Sequence, residues 1–273
     1  MFSKIAAMIF LFSVLAFCQI QKPLQFSVMG DVPRSVVEDT LLQKQIVLHN
    51  QKSASEFMLH VGDIKSGSAP CDEAVYAKVT DYLSKLDVPV YMVPGDNEWN
   101  DCDDPDLAWR YWIKYFVGFE KRWPGAPIID RQPQHAANVA WVQNGVLMIG
   151  LNLVGGRIFD QIVWDEMLRA GADWASENLG RHKENVRASV VFVQANPKEK
   201  HDMFMTDFRA AARDFEKPIL FLHGDGHRWL HDDPWLESNI VRVQVDQGGI
   251  APPLQITVTT DVETKFVFER EVF

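Results

Sequence analysis

Short apolar runs alternate along the chain with longer segments in which apolar residues recur three and four positions apart. The runs are largely β-branched or aromatic, which is typical of buried parallel strands: Leu24–Val28, Glu56–Val61, Val88–Val93, Val146–Ile149, Ala188–Val193 and Ile219–Leu222. The longer segments predict helices with one core-facing stripe: Ser35–Asn50, Asp72–Lys85, Pro105–Val117, Asp160–Arg181 and Glu199–Phe215. This alternation predicts an α/β protein.

Other segments carry different patterns. Ile240–Val245, Leu254–Thr259 and Lys265–Glu269 alternate like half-exposed strands and predict antiparallel pairing. Residues Gly118–Asn138 show no sustained period and are interpreted as an irregular stretch that could form a rim over a crevice. Because no repeat or flexible linker divides the chain, we expect one domain over residues 19–273.

A polar cluster directly follows each of the six apolar runs, and four of the clusters contain an aspartate beside a glycine: Asp31, Asp63, Asp96 and Asp225. Loops at the carboxyl ends of neighbouring parallel strands converge on one crevice. Crowded carboxylates raise one another's pKa and resist ionisation, so this arrangement predicts a cation site. The alternative is that each aspartate merely stabilises a turn, which requires four coincidences.

The clusters resemble, in order, the strand-end motifs of the calcineurin-like metallophosphoesterase superfamily: D-x-H, G-D, G-N-H-E/D, H and G-H-x-H. The resemblance spans Met29 to Trp229, and Asp31, Asp63 and His227 match metal-ligand positions. It implies a two-sheet α-β-β-α sandwich and hydrolysis of a phosphate ester by metal-activated water.

Departures from the family pattern are also informative. Pro33 stands where the first motif has histidine, Asp96 where the third has its asparagine ligand, and Asn97 where it has the catalytic histidine. Gln194 and Asp225 replace two further histidines. Oxygen donors therefore dominate, which favours Mg²⁺, Mn²⁺ or Ca²⁺ over Zn²⁺.

The resemblance implies up to two ions. One would be held by Asp31, Asp63 and His227, and the second by Asp63, Asp96, Gln194 and Asp225; whether one or both bind is left open by the sequence. Asp63 and Asn97 take the catalytic positions. An amide can donate a hydrogen bond to a phosphoryl oxygen but cannot transfer a proton, so esters with poor leaving groups should react slowly.

Candidates for substrate binding are Asn152, Arg34, Arg228 and His223. Two arginines beside ligand positions could clamp a phosphate, although exposed charges usually explain single arginines. Asn152 could equally stabilise a strand-end turn. His60 is expected to be a core histidine, and His231 is a weak candidate.

Two functions of different classes fit this pattern. The first is an exported metal-dependent phosphoesterase acting on a small phosphorylated substrate. The alternative is a catalytically silent protein that binds a phosphate- or sugar-bearing ligand on the same scaffold, with at most one structural cation. A metal-dependent hydrolase of another ester is a weaker third possibility.

The N-terminal residues resemble a secretory signal peptide. Lys4 precedes an uncharged, mostly apolar run from Ile5 to Phe17 that is shorter than the roughly 20 residues of a membrane-spanning helix. We expect cleavage after Cys18 and a secreted or periplasmic protein, without stable membrane insertion. Lipidation of Cys18 is disfavoured because Phe17 is bulky where lipoprotein signals have a small residue.

Removal of residues 1–18 leaves two cysteines, Cys71 and Cys102, each a few residues past a candidate ligand. In an oxidising compartment such a pair usually forms a disulfide. Two separate buried thiols are the alternative.

The formal net charge is −10, and loss of Lys4 makes it −11. Without a basic stripe, such a chain is expected to avoid nucleic acid and anionic membranes. A polyanionic substrate remains compatible if a cation and nearby arginines reverse the local sign. Composition does not indicate the oligomeric state.

Overall fold

The computed structural model describes residues 22–261 and 263–271. Within these residues two β-sheets pack face to face, and helices cover the outer face of each sheet. The architecture is the predicted α-β-β-α sandwich. The predicted signal peptide lies outside the described residues.

The strands are, in chain order, β1 (Leu24–Met29), β2 (Met58–His60), β3 (Val90–Met92), β4 (Asp130–Gln132), β5 (His135–Gln143), β6 (Val146–Gly150), β7 (Ala188–Phe192), β8 (Ile219–His223), β9 (Leu230–Asp232), β10 (Ile240–Gln244), β11 (Leu254–Val258) and β12 (Phe266–Glu269). The α-helices are α1 (Val36–Lys52), α2 (Glu73–Leu83), α3 (Pro105–Phe116), α4 (Gln161–His182) and α5 (Asp202–Phe215). Short 3-10 helices span Phe119–Arg122 and Glu199–His201.

The first sheet has the order β12-β11-β1-β2-β3, and the second has the order β4-β5-β6-β7-β8-β10-β9. The six predicted parallel strands divide equally between the sheets: β1, β2 and β3 are parallel neighbours in one, and β6, β7 and β8 in the other. The carboxyl ends of both parallel sets carry the polar clusters.

Alternation of side chains along the strands builds three apolar layers. Phe26 and Trp141 belong to the layer between the sheets. Met58 packs with α-helical side chains outside the first sheet, and Phe221 packs with those outside the second. Since each central strand is covered on both faces, its sequence is almost continuously apolar.

Two sequence predictions need correction. The predicted antiparallel pairing is confirmed for β11, which pairs antiparallel with β1 and β12, and for β10 with β9. β10 also runs parallel to β8, because alternation reports half-burial and not the direction of the partner strand. Residues 118–138 are not one irregular stretch, since they contain a 3-10 helix, β4 and the start of β5. The turn at Asn144 and Gly145, with φ of 49° and 71°, folds β5 back on β6 as asparagine–glycine turns do.

Cys71 and Cys102 form the predicted disulfide, with their Cα atoms 5.9 Å apart. It links the loop after β2 to the loop after β3, and the two cysteines are separated by 31 residues. The chain-entropy estimate for a loop of this length is roughly 3–4 kcal/mol of stabilisation. Among the described residues, no helix combines the length and apolar character needed to cross a membrane.

Candidate metal centre

Loops that follow strands of both sheets lie against each other at one junction. This junction, formed around Asp31, Gly62, Gln194 and Gly224, is called the seam. The backbone N–H of Asp31 donates to the carbonyl of Gly62 at 2.9 Å, and that of Gly224 donates to the carbonyl of Gln194 at 3.2 Å. Gly224 lies directly against the first sheet, because a Cβ atom there would be 2.8 Å from Asp31 Oδ2. The close approach lets side chains from both sheets share one site.

Asp31, Asp63 and His227 form a three-residue group that could hold a metal ion. Each offers one ligand atom, and these atoms lie within 4.8 Å of one another. His227 Nε2 is 3.2 Å from Asp31 Oδ1. Both carboxylate oxygens of Asp31 are buried and accept no hydrogen bond within the described residues. A buried carboxylate without donors is costly, so this donor set fits a cation.

The backbone at these positions has an uncommon conformation. Asp31, Asp63, Asp225 and His227 have φ of 56°, 62°, 68° and 58°, in the left-handed region. Aspartate and histidine enter this region more readily than most residues, but the neighbouring structure must hold them there. Such residues concentrate at functional sites, and here they turn consecutive strand ends toward the seam.

Asp63 lies at the middle of the acidic cluster. Its carboxylate accepts hydrogen bonds from Asn97 Nδ2 at 2.7 Å and from the Asn97 backbone N–H at 3.3 Å. Burial raises the pKa of Asp63 well above its usual value, and the charges of Asp96, Glu98 and Asp31 raise it further. Burial also raises the pKa of Asp96 to about 6. A bound cation would favour the ionised forms of both groups.

Gln194 connects Asp96 to the loop after β6. Gln194 Nε2 donates to Asp96 Oδ1 at 2.5 Å, while Gln194 Oε1 accepts from the backbone N–H of Gly155 at 2.7 Å. Both ends of its amide are therefore engaged with protein. Asp225 reaches the same loop, because a Cβ on Gly155 would be 3.2 Å from Asp225 Oδ2.

Glu98 is a site residue that the sequence interpretation missed. Its buried carboxylate accepts the backbone N–H groups of Asp63 and Ile64, each at 3.1 Å, and of Gly95 at 2.6 Å. Burial raises its pKa to about 7. Glu98 thereby holds the loops of Asp63 and Asp96 in register. Its position in the third polar cluster is the sequence feature that could have identified it as a site residue.

Two lysines near the acidic cluster were also missed. Lys65 is buried, and its Nζ donates to the carbonyls of Ser66 at 3.0 Å and Ala69 at 2.8 Å. Lys200 donates to the carbonyl of Gly156. Neither lysine belongs to a motif with recognisable spacing, so only the tertiary structure reveals them.

The four predicted substrate-binding residues do not all lie beside the candidate metal ligands. The Arg34 guanidinium contacts the His227 imidazole, with Nη1 3.1 Å from Nδ1, so it lies at the edge of the centre. Arg228 is exposed. His223 is buried with Nδ1 2.9 Å from the Gly224 carbonyl oxygen; burial lowers its pKa to about 4, so it is neutral at pH 7.

Asn152 lines a separate cavity of about 200 Å³ together with Trp99, Trp109 and Asn138. None of the six candidate metal ligands lines that cavity. The Asn152 backbone N–H donates to Asn138 Oδ1 at 2.6 Å.

Two further histidines, His60 and His231, have different environments. His60 is a buried histidine whose Nε2 lies 3.0 Å from the Val32 carbonyl oxygen, as expected for a core residue. His231 is exposed and packs edge-on against Phe268, with ring centroids 5.0 Å apart.

We predict a pH-dependent stabilisation by divalent cations. The pKa values of Asp96 and Glu98 are raised to about 6 and 7, so their contribution to the stability of the metal-free chain is present below pH ~4 and lost as the pH rises to ~7. Buried histidines change the stability of the folded chain with pH in the opposite direction. The quantity to compare is therefore the rise in Tm caused by the cation at each pH. At about 100 times Kd, Mn²⁺ should raise Tm by about 5–10 °C at pH 7.5 and by less at pH 5.

Thermal unfolding with and without chelator measures this increment. The Asp31→Asn variant, which loses one charge of the three-residue group, should show a smaller increment at pH 7.5. Equal increments at the two pH values would contradict the assignment of these acids to a cation site.

Comparison with known proteins gives a consistent answer at the level of fold. No protein-family model matches the chain, and no relative is found among curated proteins. Among solved structures, a dimetal phosphatase from Danio rerio is similar, with TM-score 0.64 and 11% identity over 90% of this chain and 95% of that chain. GAP50, described as the anchor in the inner membrane complex of Plasmodium, has TM-score 0.60 and 10% identity over 91% and 84% of the respective chains.

A 5'-nucleotidase from Candida albicans has TM-score 0.53 and 13% identity, and the match covers 90% of this chain but 50% of that one. At such low identity the likeness establishes the fold and not the activity. The chain therefore shares its two-sheet α/β fold with these solved structures.

Proposed function

We propose that this chain is a metal-dependent phosphoesterase that hydrolyses a small phosphorylated substrate. The observation that carries the proposal is the buried Asp31 carboxylate, whose oxygens accept no hydrogen bond from the described residues and which has a ligand atom within 4.8 Å of those of Asp63 and His227. Fold similarity to a dimetal phosphatase and a 5'-nucleotidase supports it. A bound divalent cation supplies Lewis-acid chemistry by polarising phosphoryl oxygens and lowering the pKa of water.

The protein residues have distinct roles in this proposal. Asp31, Asp63 and His227 hold the cation, and their mainly oxygen donors favour Mg²⁺, Mn²⁺ or Ca²⁺. Asn97 holds the Asp63 carboxylate through its 2.7 Å hydrogen bond. Its amide stands where the resembled motif has a histidine that could act as a general acid. Arg34, whose guanidinium contacts the His227 imidazole, would bind a phosphate oxygen.

We further propose that the protein is exported after cleavage of residues 1–18. The Cys71–Cys102 disulfide supports this, because such bonds persist mainly in oxidising compartments. Mass spectrometry of the protein purified from its native source should find an N-terminus at Gln19. A purified protein that retains Met1 would contradict export by this route.

We predict that Asp63→Asn abolishes hydrolysis of an aryl phosphate. Even partners outside the ligand set change metal affinity by about 10–100-fold, so loss of a ligand charge should reduce the rate by at least about a hundredfold. Asp233→Asn serves as the control, because Asp233 is an exposed aspartate of the same chain. Retention of wild-type activity by Asp63→Asn, assayed with Mn²⁺ or Mg²⁺, would refute the catalytic assignment.

The Asn97→His variant should restore a proton donor. A positioned general acid contributes up to about 10²–10⁴-fold, and it helps only where the departing oxygen is basic. We expect the rate on an alkyl phosphate to rise at least tenfold more than the rate on an aryl phosphate. Asn97→Ala controls for loss of the hydrogen bond to Asp63. An equal change on both substrates would exclude a missing general acid.

A further inference from the structure

The Cys71–Cys102 disulfide lies directly against Asn97. Each of its two sulfur atoms is 3.6 Å from the Asn97 carbonyl oxygen. Because a disulfide sulfur carries no proton, these are packing contacts and not hydrogen bonds. The disulfide therefore borders the peptide group of the residue that holds the Asp63 carboxylate.

Asn97 is also enclosed on its other sides. Its backbone N–H and its side-chain Nδ2 donate to the two carboxylate oxygens of Asp63, at 3.3 and 2.7 Å. A Cβ on Gly67 would be 2.7 Å from Asn97 Oδ1, so the loop after β2 packs closely on the same amide. A shift of the Asn97 backbone would therefore change its hydrogen bonds to Asp63.

The Cys102 end of the disulfide is anchored by the loop after β6. Arg157 Nη2 donates to the Cys102 carbonyl oxygen, and Arg157 Nε donates to the Asn100 carbonyl oxygen at 2.9 Å. Asn100 Nδ2 donates in return to the Arg157 carbonyl oxygen at 2.7 Å. Cys102 itself is buried. The disulfide thus joins the loop after β2 to a segment whose position is fixed.

The disulfide can be reached from the surface. Cys71 and Cys102 line a surface cavity of about 420 Å³ together with Ala69, Asp101 and Leu107, and Cys71 is only partly buried. A small dithiol can attack from this cavity. Its first thiolate displaces one cysteine thiolate, and its second thiol completes the exchange. Two electrons pass to the protein, which gains two cysteine thiols, while the dithiol becomes a disulfide.

We propose that the Cys71–Cys102 disulfide is a positioning element of the metal centre. It fixes Asn97, and through Asn97 it fixes the Asp63 carboxylate, so that reduction by a dithiol weakens cation binding in the folded protein. This inference rests on the proposed function only in assuming that Asp63 binds a cation.

Titration with Mn²⁺, followed by the electron paramagnetic resonance signal of the free ion, measures cation affinity without an activity assay. The oxidised protein is compared with protein reduced by dithiothreitol, from which the reductant is removed by gel filtration under argon, and with the Cys71→Ala/Cys102→Ala variant. Thiol titration should find two additional thiols per chain after reduction. Both forms without the disulfide should bind Mn²⁺ about tenfold more weakly, since groups outside the ligand set change metal affinity by about 10–100-fold.

A double-mutant cycle tests whether this effect passes through Asn97. Asn97→Ala removes the 2.7 Å hydrogen bond to Asp63 and should itself weaken Mn²⁺ binding. In the Asn97→Ala background, loss of the disulfide should weaken binding by less than about threefold, because residues that act through one contact are not additive. Equal factors in the two backgrounds would overturn the inference.

Two further variants separate positioning from general stability. Leu83→Ala removes a fully buried leucine of α2, which lies between the two cysteines in sequence. Such a change destabilises a fold about as much as loss of a disulfide, but it should leave the Mn²⁺ affinity unchanged. Gly67→Ala keeps the disulfide, places a Cβ against Asn97 Oδ1 and should weaken binding. Circular dichroism establishes that each protein is folded at the temperature of the titration.

The outcomes distinguish this inference from the proposed function. Unchanged Mn²⁺ affinity in folded protein without the disulfide, or equal weakening by Leu83→Ala, would overturn the positioning role and leave the metal centre intact. If the forms without the disulfide do not fold, Gly67→Ala decides: weaker binding supports the inference, and unchanged binding overturns it. Absence of Mn²⁺ binding in the oxidised wild-type protein would refute the metal centre and this inference together.

Discussion

Burial of carboxylates at the seam between two sheets is the constraint on which this centre depends. A carboxylate removed from water must receive hydrogen bonds or lie beside positive charge. Glu98 receives three backbone N–H groups, Asp63 receives the side-chain amide of Asn97, and Asp96 receives the amide of Gln194. Amides stand where the resembled motifs have histidines, and they donate hydrogen bonds at any pH without binding metal through nitrogen.

Asp31 departs from this scheme, since neither of its buried oxygens accepts a hydrogen bond from the part of the chain that the structure describes. The missing donors fit a cation at Asp31, because the carboxylates of Asp63, Asp96 and Glu98 already accept hydrogen bonds. This arrangement also explains how the centre can be specific with few nitrogen ligands. The ligand positions are set by the left-handed backbone at Asp31, Asp63 and His227, and the two carboxylates are buried while His227 is exposed.

Prediction from the sequence succeeded where the signal is local. Apolar runs followed by polar clusters predicted the parallel strands, and Asp31 and Asp63 follow neighbouring strands of one sheet, whose carboxyl ends share one edge. His227 follows a strand of the second sheet and lies near them only because the two sheets pack together. The antiparallel pairing of β10 with β9 was predicted but its parallel pairing with β8 was not, since alternation does not encode the partner strand. Lys200 could not be identified, because its contact with Gly156 joins residues 44 positions apart through tertiary packing.

The location of the metal group between the two sheets also affects the order of folding and metal binding. The three residues of the metal group come from positions 31, 63 and 227, and they belong to two different sheets. No fragment containing only one sheet can assemble the group, and contacts of such long sequence separation form late and slowly. Metal capture should therefore follow completion of the whole sandwich, so that the ion selects chains that have already folded and does not nucleate their folding.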